Sequence, residues 1–173
     1  MLADRKRHRQ ISLLPCSFEH SGHRLAFRRI LESYMTDPMG ACAPHSESRA
    51  EFVFDSLQHH PKATVLFAAI DMTIVGMAVY FENYSTFRAA PFINIHDLAV
   101  LPEFRGIGVA KALLQRVILE GIHRRCARVT LEVREDNNVA RALYDRTGFQ
   151  SGNPSTEYLT MDLSSHLRIL RAL

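Results

Sequence analysis

Between residues 105 and 111 the chain reads Arg105-Gly106-Ile107-Gly108-Val109-Ala110-Lys111, with two glycines where a β-rich run gives way to a helical pattern. Glycine there lets the main chain come close to a ligand, and the first amides of a helix have no intrahelical partner. With the positive end of the helix dipole behind them, such amides form a site for an anion such as phosphate. Ala110 is small enough to let the helix start approach that anion. A Walker loop would need Lys and then Ser or Thr after its last glycine, where Val109 and Ala110 stand. A dinucleotide fingerprint would need glycine in place of Lys111. A glycine turn that merely closes a strand–helix corner would use the same residues. Two other side chains could move protons. Tyr144 follows Asn137 by two helical turns, so both share one helix face. His96 alternates with Asn94, Leu98 and Val100, so a regular strand would point all four one way and Asp97 the other. A tyrosine or histidine packed into a core would give the same patterns.

The elements that must hold these groups are legible from periodicity. Residues 11–15 read as a short first strand. Residues 20–34 read as a helix with Leu25, Ile30, Leu31 and Tyr34 on its apolar side and Ser21 as its cap. Turn chemistry follows over 36–44, then a second helix over 46–60 that buries Ala50, Val53, Phe54 and Leu57. Residues 64–70 and 74–81 are β-rich and joined by a tight Asp71-Met72-Thr73 connection, which predicts a hairpin. A third β-rich run, 92–101, ends at Pro102. The helix over 109–123 has the clearest stripe: Ala110, Leu113, Leu114, Val117 and Ile118. A strand at 129–133, a short helix at 138–147 capped by Asn137 and closed by Gly148, and a last strand at 158–163 complete the order. Hairpins together with strand–helix–strand crossovers predict an α/β (α+β) chain with a mixed sheet.

Composition narrows the function classes. The 173 residues fit one globular domain over 11–173 behind a basic, disordered tail at 1–10. The net charge of +3 is contained in that tail, where Arg5, Lys6, Arg7 and Arg9 face Asp4 alone. The balanced remainder lacks the footprint of a nucleic-acid binder, although the tail could dock an anionic partner. No apolar run approaches the roughly 18 residues of a membrane span, and no apolar segment follows the N-terminal charges as in a secretory signal. Three scattered cysteines, Cys16, Cys42 and Cys126, without a CxxC pair predict a cytoplasmic protein with neither disulfides nor a metal site.

Arg105-x-x-Gly108-x-Ala110 resembles the (Arg/Gln)-x-x-Gly-x-(Gly/Ala) signature of the GNAT superfamily of N-acetyltransferases. The flanks, residues 96–104 before it and Ala112-Leu113-Leu114 after it, resemble the family's surroundings of that signature. A second block, Asn137-x-x-Ala140-x-x-x-Tyr144 followed by Gly148-Phe149, is similar to the family's second motif. The resemblance covers residues 62–163 well, and 11–60 in element order only. It implies the GNAT fold: a mixed sheet of about six to seven strands, splayed in the middle, with about four helices. It also implies that acetyl-CoA lies between strands 92–101 and 129–133. Leu98, Ala99 and Val100 would pair with its pantetheine arm and polarise the thioester carbonyl. The amides of Gly106, Ile107, Gly108, Val109, Ala110 and Lys111, with Arg105 leading the loop, would hold the pyrophosphate, and Asn137 would bond the arm. The implied reaction is direct attack by a primary amine in a ternary complex. Tyr144 would then be the acid for the departing thiolate, a phenol of reference pKa near 10 set against a thiol near 8.5. His96, at the acetyl end, could accept the amine's proton.

Residues 76–87 resemble the aromatic hairpin of the diamine (spermidine/spermine-type) acetyltransferase branch. That would make the acceptor a small or polyamine-like amine. Glu82 and Tyr84 would be the acceptor-side residues, and Glu47, Glu51 and Asp55 candidate ammonium partners. His96 stands where that branch carries a glutamate acting through water. A protein or peptide N-acetyltransferase of the same fold, and an inert CoA-binding regulatory protein, remain as alternatives. The resemblance also suggests a homodimer, and the stripe Leu167, Ile169 and Leu170 could pack on a partner or on its own domain.

Overall fold

The unbroken apolar runs at 64–70 and 74–81 become the middle of a sheet, buried on both faces. The computed structural model describes residues 10–40 and 46–151. The expected basic tail (all but Gln10), the end of the 36–44 turn, the strand at 158–163 and the 164–173 stripe lie outside those residues. Within them are five strands, β1 (Ile11–Pro15), β2 (Ala63–Ile70), β3 (Thr73–Ser85), β4 (Ala90–Val100) and β5 (Val129–Leu131). Four helices accompany them, α1 (Ser21–Thr36), α2 (Glu47–His59), α3 (Val109–His123) and α4 (Asn138–Arg146). The sheet order is β1-β2-β3-β4-β5. The first four strands are antiparallel and β5 runs parallel to β4, as the mixed pattern of hairpins and crossovers predicts.

Two apolar layers clamp this sheet. On one face Phe27, Ile30, Leu31, Phe54 and Leu57 of α1 and α2 meet Val65, Phe67, Met77 and Val79. On the other, Val109, Leu113, Leu114 and Val117 of α3 meet Leu66, Ala68, Tyr80 and Ile95. The β2–β3 connection is a two-residue loop, Asp71 (φ 47°) and Met72 (φ 65°), the left-handed pair that matches the twist of a hairpin. Among the described residues no helix is long and apolar enough to cross a membrane.

Two details of α1 differ from expectation. Its cap is His20, whose Nδ1 accepts the Gly22 N–H at 3.1 Å, and Ser21 is already the first helical residue. The buried stripe runs Phe27, Ile30, Leu31, Tyr34, one i, i+3, i+4, i+7 face. Leu25 lies off that face and is 59% exposed.

A candidate active site where two strands part

β4 and β5 are paired over three residues only, from Ile93 opposite Val129 to Ile95 opposite Leu131. Beyond Ile95, β4 continues along β3 to Val100, while the chain after Leu131 leaves the sheet for the start of α4. The gap is a cleft of about 340 Å³ lined by Tyr34, His96, Leu98, Glu132, Asn137 and Tyr144, among others.

Hydrogen-bond parity decides what β4 shows to this gap. The Leu101 N–H bonds the Val75 C=O at 2.9 Å, so Leu101, Ala99 and Asp97 direct their main-chain groups into the β3 ladder. Leu98 and Val100 direct theirs to the cleft. Ala99 does not share their role, because its backbone sits opposite Met77. The Val100 C=O accepts from Arg105 Nε at 3.0 Å, and among the described residues its N–H and both main-chain groups of Leu98 are left for a ligand.

A bulge overturns the expected alternation. Asp97 pairs with Val79 and Ile95 with Tyr80, so His96 is an extra residue on β4. Side-chain parity reverses there. Ile93 and Ile95 join Leu98 and Val100 on the α3 face, while Asn94 faces the other way opposite Phe81 and donates to Thr130 Oγ1 at 3.0 Å. His96 is turned outward and exposed, its ring at 5.1 Å from Phe81, whose far edge meets His60 at 5.0 Å. The imidazole is thus buttressed from one side and open to the cleft from the other.

Asp97 lies opposite Val79 on the α1 and α2 face. Burial pushes its carboxyl pKa up, against a smaller pull downward from His96. Burial disfavours the charged form, so at neutral pH the folded state bears a cost that the unfolded chain does not. Below the ordinary carboxylate pKa of about 4 the group is neutral in both states and the burden vanishes. Asp97→Asn is therefore expected to raise Tm at pH 7 by roughly 2–4 °C, the shift that about 1 kcal/mol gives in a chain of this length. The gain should fade as the pH falls toward about 4, which calorimetry at two pH values would check.

The opposite wall comes from α4. Asn137 caps the helix, its Oδ1 taking the Ala140 N–H at 3.1 Å, so its NH2 is the group it can offer a ligand. Tyr144 is half-buried, its ring 5.9 Å from Phe149. Burial, and then the nearby Tyr34, push its phenol pKa up. A phenol so placed keeps its proton, as an acid must.

Beyond the end of β4, Gly106 (φ 75°) and Gly108 (φ 95°) both adopt left-handed conformations, and Gly108 caps α3. The first helical bond runs from Ala112 N–H to Gly108 C=O at 3.0 Å, so the amides of Gly108 to Lys111 have no intrahelical partner. A Cβ on Gly106 would meet nothing within 4 Å, and one on Gly108 only Ile11 Cδ1 at 4.0 Å. The loop is open on the side where those side chains would project. Ile107 is exposed and the Val109 side chain is buried in the core, so Val109 offers only its main chain. Arg105 turns away from the helix start: its Nη2 pairs with Asp37 at 2.8 Å. Open amides at one end and an unpaired strand edge along the side fit an extended ligand with an anionic end.

Other expected residues lie elsewhere. Glu82 is held by Lys62 at 2.5 Å and Arg124 at 3.3 Å, with its pKa lowered chiefly by Lys62, and it does not line the cleft. Tyr84 is 64% exposed, near the tip of the β3–β4 hairpin. Glu47, Glu51 and Asp55 are paired with Arg24 and Arg28, tying α1 to α2. Tyr34, Met39 and Glu132 line the cleft without having been singled out. For Tyr34 the only signal was its place at the end of the α1 stripe, which reads equally as core.

Comparison with known proteins places this geometry in a wider group. The model of the acetyltransferase (GNAT) family matches residues 26–149. An integron cassette protein from the mobile metagenome of V. cholerae superposes with a TM-score of 0.78 at 17% identity, covering 93% of this chain and 98% of its own. A ribosomal-protein-alanine N-acetyltransferase from Brucella melitensis biovar Abortus gives 0.69 at 18% identity, over 88% of this chain and 100% of its own. An aminoglycoside N-acetyltransferase solved in complex with CoA gives 0.70 at 16% identity, over 88% and 94% respectively. At such identities these likenesses speak for the fold.

Proposed function

This chain belongs to the acetyltransferase (GNAT) family, and on that footing we propose that it acetylates a small primary amine by direct attack, with Tyr144 as acid and His96 as base. Membership gives the activity class, an acetyl-CoA-dependent N-acetyltransferase. The observation that supports the finer reading is the convergence of Tyr144, His96, Leu98 and Asn137 on one cleft where β4 and β5 separate. Its volume of about 340 Å³ lies within the range of small-molecule sites.

Acetyl-CoA supplies an activated thioester at this cleft. The chain's own part is to hold it, desolvate it and move the protons between the acceptor nitrogen and the departing sulfur. The amides of Gly108 to Lys111 bind the anionic end, and Leu98 and Val100 offer backbone groups along the arm. His96 takes a proton from the acceptor's ammonium, leaving a neutral nitrogen to attack. Tyr144, kept protonated by its raised pKa, gives its hydroxyl proton to the departing sulfur, and its phenolate recovers a proton from the acylated nitrogen as that becomes the amide. The diamine-type reading of the 76–87 hairpin draws no support from Glu82, whose charge is already matched by Lys62 and Arg124.

Thiol release from acetyl-CoA against polyamines, lysine analogues, aminoglycosides, amino acids and short peptides tests the proposal. Rapid turnover with one class of small amine is the expected result. Turnover confined to peptides would overturn the small-amine acceptor and leave the chemistry standing.

A further inference from the structure

One carboxylate and one guanidinium tie the end of α1 to β4 and the glycine loop. Asp37 ends α1, its N–H bonding the Tyr34 C=O at 3.2 Å. Its Oδ1 accepts the Met39 N–H at 2.8 Å, and its Oδ2 meets Arg105 Nη2 at 2.8 Å. The same guanidinium donates its Nε hydrogen to the Val100 C=O at 3.0 Å. Three parts are thereby connected: the end of α1 that sets Tyr34 and Met39 on the cleft, the first residue of the glycine loop, and the last residue of β4. The Asp37 side chain is 14% exposed and that of Arg105 48%, so the pair is sheltered on its carboxylate side and open to water on the other. A neighbouring pair, Arg29 with Glu103, is more than half exposed on both sides and contributes little.

We propose that Asp37 is a positioning residue that clamps the glycine loop and β4 against the end of α1, fixing the spacing between the anion site and the acceptor wall. The inference rests on the acyl-donor reading of that loop. Arg105 makes both contacts, to Asp37 and to Val100. Its fork reaches two acceptors at once, a bidentate geometry that lysine lacks. Held by Asp37, it fixes where the chain enters Gly106, and the amides that follow inherit that placement.

Charge alone predicts the opposite effect, which makes the inference testable. A carboxylate near an anion site repels the anion, so Asp37→Asn would tighten CoA binding if Asp37 acted only through its field. A clamp predicts about tenfold weaker CoA binding in a folded variant, the loss expected for one sheltered charged hydrogen bond. The acceptor KM should rise too, since Tyr34 and Met39 lose their anchor, while kcat at saturation stays near the wild-type value. A merely structural role would lower Tm and leave both binding constants unchanged at temperatures well below it. Asp37→Glu should recover part of the affinity.

The experiment is calorimetric titration of CoA into wild type, Asp37→Asn and Asp37→Glu, paired with thermal unfolding and steady-state kinetics. CoA binding by Asp37→Asn that equals or exceeds wild type overturns the proposal. If that variant does not fold, Arg105→Lys answers in its place. It keeps the positive charge and loses the two-way fork, so weaker CoA binding supports the clamp and unchanged binding overturns it. Wild-type protein that binds no CoA would remove the acyl-donor reading itself, and this inference with it, an outcome distinct from a variant that binds normally.

Discussion

Tyr144→Phe is expected to lower kcat by about 10²–10⁴-fold, the usual contribution of a placed general acid, with CoA binding unchanged. The substitution removes one oxygen and keeps the ring against Phe149, so packing is preserved and the loss is chemical. The pH profile gives a second reading. Burial and the adjacent Tyr34 raise the phenol pKa above its ordinary value near 10, so Tyr144 stays protonated through neutral and mildly alkaline pH. Wild-type activity should therefore show no decline assignable to this group below about pH 10. The Phe variant should be slow throughout, with the deficit largest for the acceptors whose chemistry limits turnover. A variant that turns over like wild type across that range would take Tyr144 out of the mechanism.

The second large effect is expected at the head of α3. Gly108 sits at φ 95° and ψ 1°, a conformation that a side chain disfavours by about 1–3 kcal/mol. A Cβ there would find ordinary room, with Ile11 Cδ1 as its nearest neighbour at 4.0 Å, so the penalty of Gly108→Ala is conformational rather than steric. The chain relieves it by rotating the cap, which tilts the open amides of Gly108 to Lys111 off their common direction. CoA affinity should fall at least about tenfold, as when well-aligned donors to a charged group are lost. Gly106→Ala is the informative companion. It has a similar left-handed φ of 75° and meets nothing within 4 Å, but it precedes the cap and leaves the helix start in place. It should lose stability comparably and CoA affinity less. Equal affinity for wild type and a folded Gly108→Ala would mean that the loop does not hold the anion.

Much of this arrangement can be read from the chain directly, because the helix and strand periods are strong where burial is deep. The stripe of α3 left little choice of face, and the unbroken apolar runs of β2 and β3 marked the two-sided middle of the sheet. The glycine loop, the Asn137–Tyr144 spacing and the part played by Gly108 follow from local rules about caps and turns. What the chain hides is long-range. The bulge at His96 inserts one residue into β4, and a period-two pattern cannot register an insertion that only the partner strand defines. Alternation therefore put Asn94 on the wrong face. His20 caps α1 where Ser21 was expected, because the folded-back imidazole reaches the Gly22 amide first. Glu82 read as a free acid since Lys62 and Arg124 are remote in sequence. Asp37 looked like turn chemistry, with nothing nearby to suggest that Arg105 would cross to it.

The strand order has a consequence for how the cleft is made. β2, β3 and β4 are joined by short connections over 63–100, so their contacts are local and close with little loss of chain entropy. β5 must wait for the chain to travel through α3 before it can pair, and then it does so over three residues only. Contact-order reasoning makes the meander the first part of the sheet to assemble and the β5–α4 unit a late arrival. The wall that offers Leu98 and Val100 is thus closed by local contacts, and the wall that offers Asn137 and Tyr144 by pairing across a long loop. The cleft is a seam between local and long-range pairing, left where β5 stops zipping to the meander.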